Sequence, residues 1–273
     1  MIPYQILQAG LKDTHTEKPM DRFSMSLANA LLGNPLDQAC LEVHFPAAKI
    51  KWNNNTWFCL CGADFTARLN DLSIPNNRPI LAPKGSVLTF QAPVKGASAY
   101  VATADYPFPL DEAKCLPWSA NLAWEKTPCH LIHVLPGRDW ERLTSRAQQQ
   151  LFSHIQYLSH EANRMGFRLE HPPLQVRNKE DILSTAASFG TVQLTHAGQM
   201  IILMADHQLT GGYPMIAHVI SADLPKLAQK RPGEPIQFNL CDQSTAENLW
   251  KSQQFHLQQI QSASILKIRS YAN

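Results

Sequence analysis

Short apolar runs alternate with polar, proline-rich turns along most of the chain, and this spacing predicts strands far more often than helices. In the first hundred residues the runs Leu41–Phe45, Lys49–Trp52, Thr56–Cys61, Val87–Gln91 and Ala99–Ala102 read as strands of a barrel or sandwich. Later, His130–Leu135 alternates in part and turns at Pro136-Gly137, while Met200–Met204 and Met215–Ile220 are apolar runs of strand length. Helical spacing is confined to a few places. Phe23, Leu27, Ala30 and Leu31 share one face of a segment that starts after Pro19 and is stopped by Gly33-Asn34-Pro35. Ser145-x-x-Gln148 caps a short helix ending near His154, and Asp223 or Ser221 caps another with Pro225 in its tolerant first turn. Ser244-Thr245-Ala246-Glu247 forms a capping box ahead of a final helix with Leu249, Trp250, Leu257 and Ile260.

This pattern predicts a mainly β fold with a few helices, arranged as two β-rich subdomains. Residues 1–103 form the first and 130–243 the second, followed by a C-terminal helix over 244–273. Residues 104–129, rich in proline, acidic residues and tryptophan (Trp118, Trp124), are read as the crossing between them. No repeat of solenoid length is present.

Charge removes whole classes of partner. The 273 residues carry a net charge of +2 and no run of lysine or arginine, so nucleic acid is not expected. No apolar stretch approaches the roughly 20 residues of a membrane span, and the start of the chain lacks the pattern of a secretory signal; a cytoplasmic protein is expected. The six cysteines include no Cys-x-x-Cys, and Cys59 and Cys61, two apart on a strand, read as buried thiols on one face. The chain has no P-loop, no Gly-x-Gly-x-x-Gly and no Gly-x-Ser-x-Gly. His160-Glu161-Ala162-Asn163-Arg164 begins like a zincin helix but places arginine where the second histidine is needed, so no metal site is expected.

Polar chemistry concentrates in Ala205–Pro225, where Asp206, His207 and Gln208 precede a Gly211-Gly212-Tyr213-Pro214 turn held between two apolar runs. The glycines permit positive φ and close approach of a ligand to backbone amides, and Pro214 directs Tyr213 toward an extended conformation. In an extended chain Asp206 and Gln208 share one face while His207 points away, which puts the first two ahead for catalysis. His207, Thr210, Gly211, Gly212 and Tyr213 are then substrate-binding candidates. Arg164 and Arg168 lie on one side of a helix or strand alike. Arg164 is read as either a bidentate grip on a substrate carboxylate or a structural ion pair with Glu161 or Glu170. His171 and His218 read as packing or surface histidines, and Asp21 and Glu42 as a helix cap and a strand anchor.

Several ordered segments carry a family resemblance. These are Arg164-Met165-Gly166-Phe167-Arg168-Leu169-Glu170, Gly190-Thr191-Val192-Gln193-Leu194, the Gly-Gly-Tyr-Pro turn, Leu227-Ala228-Gln229 and Arg231-Pro232-Gly233-Glu234. Leu27–Asn34 and Leu41-Glu42-Val43 add a thinner match at the front. Together they resemble the family that contains the C subunit of 5-oxoprolinase, the kinase A inhibitor antagonist (KipA) and allophanate hydrolase subunit 2, the biotin-dependent carboxyltransferase family. The resemblance implies a cyclophilin-like β-barrel architecture and a composite active site shared with a KipI-like partner, the B subunit of 5-oxoprolinase. It also implies the A subunit of that enzyme and ATP at the level of the complex, acting on a small amide or lactam such as 5-oxoproline, which is opened to glutamate. No biotin-carrier Met-Lys-Met is present. Two family features are missing: a Gln-Asp-x-Gly-Arg loop after the first glycine, and a Gly-Gly-Ile turn after Tyr100-Val101-Ala102. The first loss favours a regulatory alternative, a protein antagonising a KipI-like inhibitor; a carboxyltransferase or allophanate hydrolase component is the third reading.

Overall fold

The computed structural model describes residues 2–10, 13–104, 118–120, 130–177 and 182–272. Most of the 104–129 segment, with Trp124, Cys115 and Cys129, lies outside the described residues. The chain divides into two compact units, Met1–Leu122 with Ser252–Asn273, and Ala123–Lys251.

The first unit opens with β1 (Tyr4–Gln8), β2 (Thr14–Thr16) and α1 (Arg22–Leu31), followed by β3 (Cys40–His44), β4 (Lys49–Trp52) and β5 (Thr56–Asp64). Short β6 (Arg68–Leu69), β7 (Leu72–Ser73), β8 (Pro79–Ala82) and β9 (Val87–Thr89) lead to the long β10 (Lys95–Ala104). They form two five-stranded sheets, β1-β4-β9-β6-β7 and β2-β3-β10-β5-β8. Both sheets contribute to one apolar cluster that includes Val43, Ile50, Trp52, Phe58, Leu60 and Leu88. Strand alternation explains the fate of the thiols. Phe58 and Leu60 enter this cluster, so Cys59 and Cys61 fall on the opposite face, both fully buried with sulfurs 3.9 Å apart. Burial pushes the Cys61 thiol well above its usual range, and Cys40 to about 12.

α1 starts where the sequence places it because Asp21 caps it, its Oδ1 accepting from Ser24 N at 2.8 Å. Gly33 ends it in the left-handed region at φ +68, and a β-carbon there would also be tight, 3.1 Å from Ile268 Cδ1. Ile268 belongs to the final helix, whose Gln261 Nε2 also donates to Asn34 O at 2.6 Å.

The second unit contains β11 (Leu131–Pro136), α2 (Ser145–Ser153), β12 (Gln156–Leu158), β13 (Gly166–Glu170) and β14 (Thr185–Ala186). Then come β15 (Thr191–Leu194), β16 (Met200–Leu203), β17 (Thr210–Gly211), β18 (Met215–Val219), α3 (Leu224–Ala228) and β19 (Pro235–Leu240). Seven of these strands close a barrel in the order β11-β18-β15-β16-β13-β12-β19, as expected of a mainly β, barrel-forming chain. Closure comes from β11, which pairs antiparallel with β18 and parallel with β19. β14 and β17 stand apart as a two-stranded ribbon. Gly137 allows the chain to turn against β18: a β-carbon there would lie 2.2 Å from Met215 O. Asp139 then fixes the start of β18, accepting from Met215 N at 3.0 Å.

Three caps differ from the sequence expectation, two by small shifts and one by losing its cap. α2 is capped by Thr144 and not Ser145, Thr144 Oγ1 accepting from Ala147 N. The final helix, α4 (Gln243–Ala272), starts at Asp242, which accepts from Thr245 N at 2.7 Å, so Ser244 is not the cap. Asp223 does precede α3, but its side chain caps nothing. Its Oδ2 accepts from His133 N and lies 2.7 Å from His133 Nδ1, while Oδ1 pairs with Lys226.

Candidate functional site in the second unit

The Ala205–Pro225 stretch divides into a surface turn and a cleft wall. After β16, Met204 to His207 form a turn closed by His207 N donating to Met204 O at 3.1 Å. The chain is therefore not extended here, and the expected alternation of Asp206 and Gln208 against His207 does not apply. Asp206 is 50% exposed and held by Arg164 in a fork, Nε to Oδ2 at 2.7 Å and a terminal nitrogen to Oδ1 at 3.1 Å. Asp206 N donates to Arg164 O as well, at 2.8 Å. Arg164 thus takes a protein carboxylate, and its partner is Asp206 rather than Glu161 or Glu170. Arg168 instead pairs with Glu161 at 3.3 Å on the surface. His207 Nδ1 lies 2.7 Å from Gln208 O, and the Gln208 and Thr210 side chains are exposed.

The glycines work differently from the expectation. Neither Gly211 nor Gly212 has positive φ. Gly211 is small for packing: a β-carbon would stand 2.3 Å from Gln193 Nε2, so the residue must be glycine for that amide to lie where it does. Gly212 has ordinary space, its nearest neighbours Ile182 O and Ser184 Oγ being 3.5 Å from the same position.

Gly212 and Pro214 form one side of a cleft of about 320 Å³. The opposite walls come from Pro173–Val176 and from Leu194–Gly198, the β15–β16 hairpin, with Ile182 beside Gly212. Tyr213 braces this wall by an edge-on contact with His196, ring centroids 5.4 Å apart. Leu194 N donates to Pro214 O at 3.0 Å, tying the turn to the barrel. Of the sequence candidates, the structure brings Gly212 into the cleft and Tyr213 against a lining residue. Asp206, His207, Gln208, Thr210, Gly211 and Arg164 do not line it.

Sequence reasoning missed His196, Asp139 and the side chain of Gln193. Gln193 has a signal in retrospect, a single amide in the otherwise apolar run Val192, Leu194. His171 is set as the neutral tautomer, Nδ1 facing Pro172 O at 2.7 Å and Nε2 accepting from Met200 N at 2.9 Å; burial lowers its pKa. Burial likewise lowers that of His218. Among the described residues no three His, Cys, Asp or Glu side chains gather as metal ligands, and no helix is long and apolar enough to cross a membrane.

The second unit is thus a closed β-barrel with a small cleft between a hairpin and a glycine turn. The chain belongs to the carboxyltransferase domain family, subdomains A and B, whose model matches residues 19–106 and 109–240. It is 29% identical to the C subunit of 5-oxoprolinase from Escherichia coli (strain K12), over 88% of this chain and 87% of that one. Against the protein of the same name from Haemophilus influenzae the identity is 28%, with the same coverage. In structure it is similar to the urea carboxylase of Kluyveromyces lactis, with a TM-score of 0.82 at 20% identity, a likeness of fold. That match covers 96% of this chain but only 29% of the urea carboxylase.

Proposed function

We propose that this chain is one component of an ATP-dependent 5-oxoprolinase, forming a composite active site with the KipI-like B subunit and opening 5-oxoproline to glutamate together with the A subunit. The supporting observation is the match to the C subunit of 5-oxoprolinase, which runs over most of both chains. The cleft volume suits a five-membered lactam. Its described lining residues include no lysine or arginine, so they do not fit a triphosphate, and no step is assigned to ATP in this cleft. Within the cleft the barrel positions the lactam, and the backbone at Gly212 faces charge developing on its carbonyl oxygen. Leu183 and Leu209, 87% and 80% exposed beside the turn, give a partner apolar anchors at the same edge.

One observation favours the regulatory alternative. Asp206, the carboxylate expected to be catalytic, is already held in both oxygens by Arg164. Reconstitution separates the two readings. The chain alone is expected to show no 5-oxoproline-dependent ATP turnover, activity appearing only when the A and B components are both added. Partner binding is expected to slow hydrogen exchange across Thr210–Ile216. Turnover by the chain alone overturns the composite site; tight partner binding with no turnover by the three-protein mixture supports the antagonist.

A further inference from the structure

Two buried polar groups beside the cleft are left unmatched by the rest of the fold. Gln193 on β15 is 5% exposed, and its Nε2 has no hydrogen-bond partner among the described residues. Thr185 Oγ1 on β14 is also buried and unpartnered. Both meet at Gly211: Thr185 is its ladder partner, and Gln193 Nε2 occupies the place a β-carbon on Gly211 would approach. Folded proteins seldom leave a buried donor and a buried hydroxyl unmatched, and of the unmatched buried atoms these two neighbour the same glycine beside the cleft, where a group supplied from outside can meet them.

The covering layer is slight. β14 and β17 pair over two residues each, in a sheet of their own, with Ala187 N donating to Leu209 O beyond them. Gly212 and Ile182, next to this ribbon on either strand, already line the cleft. Gln193 itself does not line the cleft, so access to its amide from there requires the ribbon to shift.

We propose that Gln193 and Thr185 form an amide-recognition subsite beneath the β14–β17 ribbon. Gln193 Nε2 donates to the carbonyl oxygen of the neutral amide group of a small amide, lactam or ureido ligand, and Thr185 Oγ1 accepts from the N–H of that group. This deepens the 5-oxoprolinase reading and rests on it for the choice of lactam, whereas the subsite itself rests on the two unmatched groups. Gln193 is a specificity residue here, acting on binding before chemistry.

The test uses the full chain with Gln193→Leu and Thr185→Val, each close in shape to the residue it replaces. Removing an unmatched buried polar group leaves stability unchanged or improved, so both variants are expected to melt at or above the temperature of the parent. Ligand-observed saturation-transfer NMR with 2-pyrrolidinone and 5-oxoproline is expected to show affinity weakened tenfold or more in both. In the reconstituted complex KM is expected to rise by a similar factor, with kcat changed by less than threefold. Lower melting temperatures with unaltered probe binding overturn the subsite and make both residues structural. Absence of probe binding by the parent chain overturns it too. If the complex never turns over 5-oxoproline while 2-pyrrolidinone binds in a Gln193-dependent way, the subsite stands and the 5-oxoprolinase reading falls. Normal turnover, KM and probe binding in Gln193→Leu give the reverse.

Discussion

Each unit holds a carboxylate in several contacts at once, and solvent makes the two arrangements different in kind. In the first unit Glu42 is fully buried. Its Oε2 accepts from Met20 N and from the Tyr100 hydroxyl, both at 2.9 Å, and the same hydroxyl accepts from Asp21 N at 2.7 Å. His44 Nε2 stands 3.1 Å from Oε1, an electrostatic neighbour outside hydrogen-bond alignment. Burial, and then the Glu42 charge, hold the Tyr100 phenol well above its usual range. In the second unit Asp206 and Arg164 make an equally well-formed fork at the surface. A buried carboxylate of this kind fixes how helix, strand and sheet meet, whereas an exposed one shapes a loop. Hydrogen-bond geometry alone does not rank the two; burial does.

Glu42→Ala tests this most severely. It strands Met20 N and the Tyr100 hydroxyl in a sealed interior, and removing one member of a buried charged network costs about 3–5 kcal/mol. Urea denaturation is expected to show the first unit's transition displaced by that amount. A loss under about 1 kcal/mol would place the carboxylate in solvent contact and erase the contrast.

The two glycines of the turn give the next effect. Gly211→Ala sets a methyl group against the buried Gln193 amide and is expected to cost about 1–3 kcal/mol by overpacking. Gly212→Ala, with ordinary contacts at 3.5 Å, is expected to stay within about 0.5 kcal/mol of the parent. Melting curves of the pair decide it, and equal losses would mean the turn relaxes as a unit.

These glycines also show what was legible in the sequence. The strands were, because an apolar run such as Met200–Leu203 has one way to be buried in a barrel, and β4 (Lys49–Trp52) falls where its alternation puts it. Helix caps were found to within one or two residues, since Thr144 and Asp242 stand beside serines that would serve as well. The Gly-Gly pair was recognised as special for the wrong reason. Positive φ is a property a glycine can announce locally, but the demand on Gly211 comes from Gln193, eighteen positions away in the chain and adjacent only after the barrel closes. The Arg164–Asp206 fork was hidden likewise, its partners being joined by the β13–β16 pairing.

Acidification should separate the units again. Burial lowers the pKa of His171 and His218, so each favours the neutral form when folded. Their contribution to stability is fully present above the ordinary histidine value of 6.5 and is lost as pH falls through the lowered folded values. Asp13 in the first unit has the opposite sense. Burial raises its pKa, so its contribution is present at low pH and is lost as pH rises through the folded value. Hydrogen exchange measured between pH 7 and mildly acidic conditions is expected to show protection falling in β15, β16 and β18 before it falls in β3 and β10. Parallel loss in both sets would remove the histidines as the cause.

A modest effect concerns the Arg164–Asp206 fork. Asp206 is half in water while the Arg164 side chain is only 15% exposed. Arg164→Ala therefore loses a half-solvated ion pair together with some packing and is expected to cost about 1 kcal/mol of stability, well below Glu42→Ala. Its consequence should be local, because Arg164 and Asp206 also share a backbone hydrogen bond, Asp206 N to Arg164 O, that survives the substitution. The informative readout is therefore partner affinity and turnover in the reconstituted complex. If Arg164 only orders the loop, Arg164→Lys keeps the charge but loses the planar fork, and it should weaken both readouts about as much as Arg164→Ala does. If instead Asp206 acts on substrate and Arg164 restrains it, Asp206→Asn should reduce kcat at least tenfold with partner affinity unchanged, while Arg164→Lys retains most of the turnover. Equal, small effects of Asp206→Asn on kcat and KM would assign the fork to loop structure alone, leaving the cleft at Gly212 and the Gln193 amide as the remaining proposed ligand site.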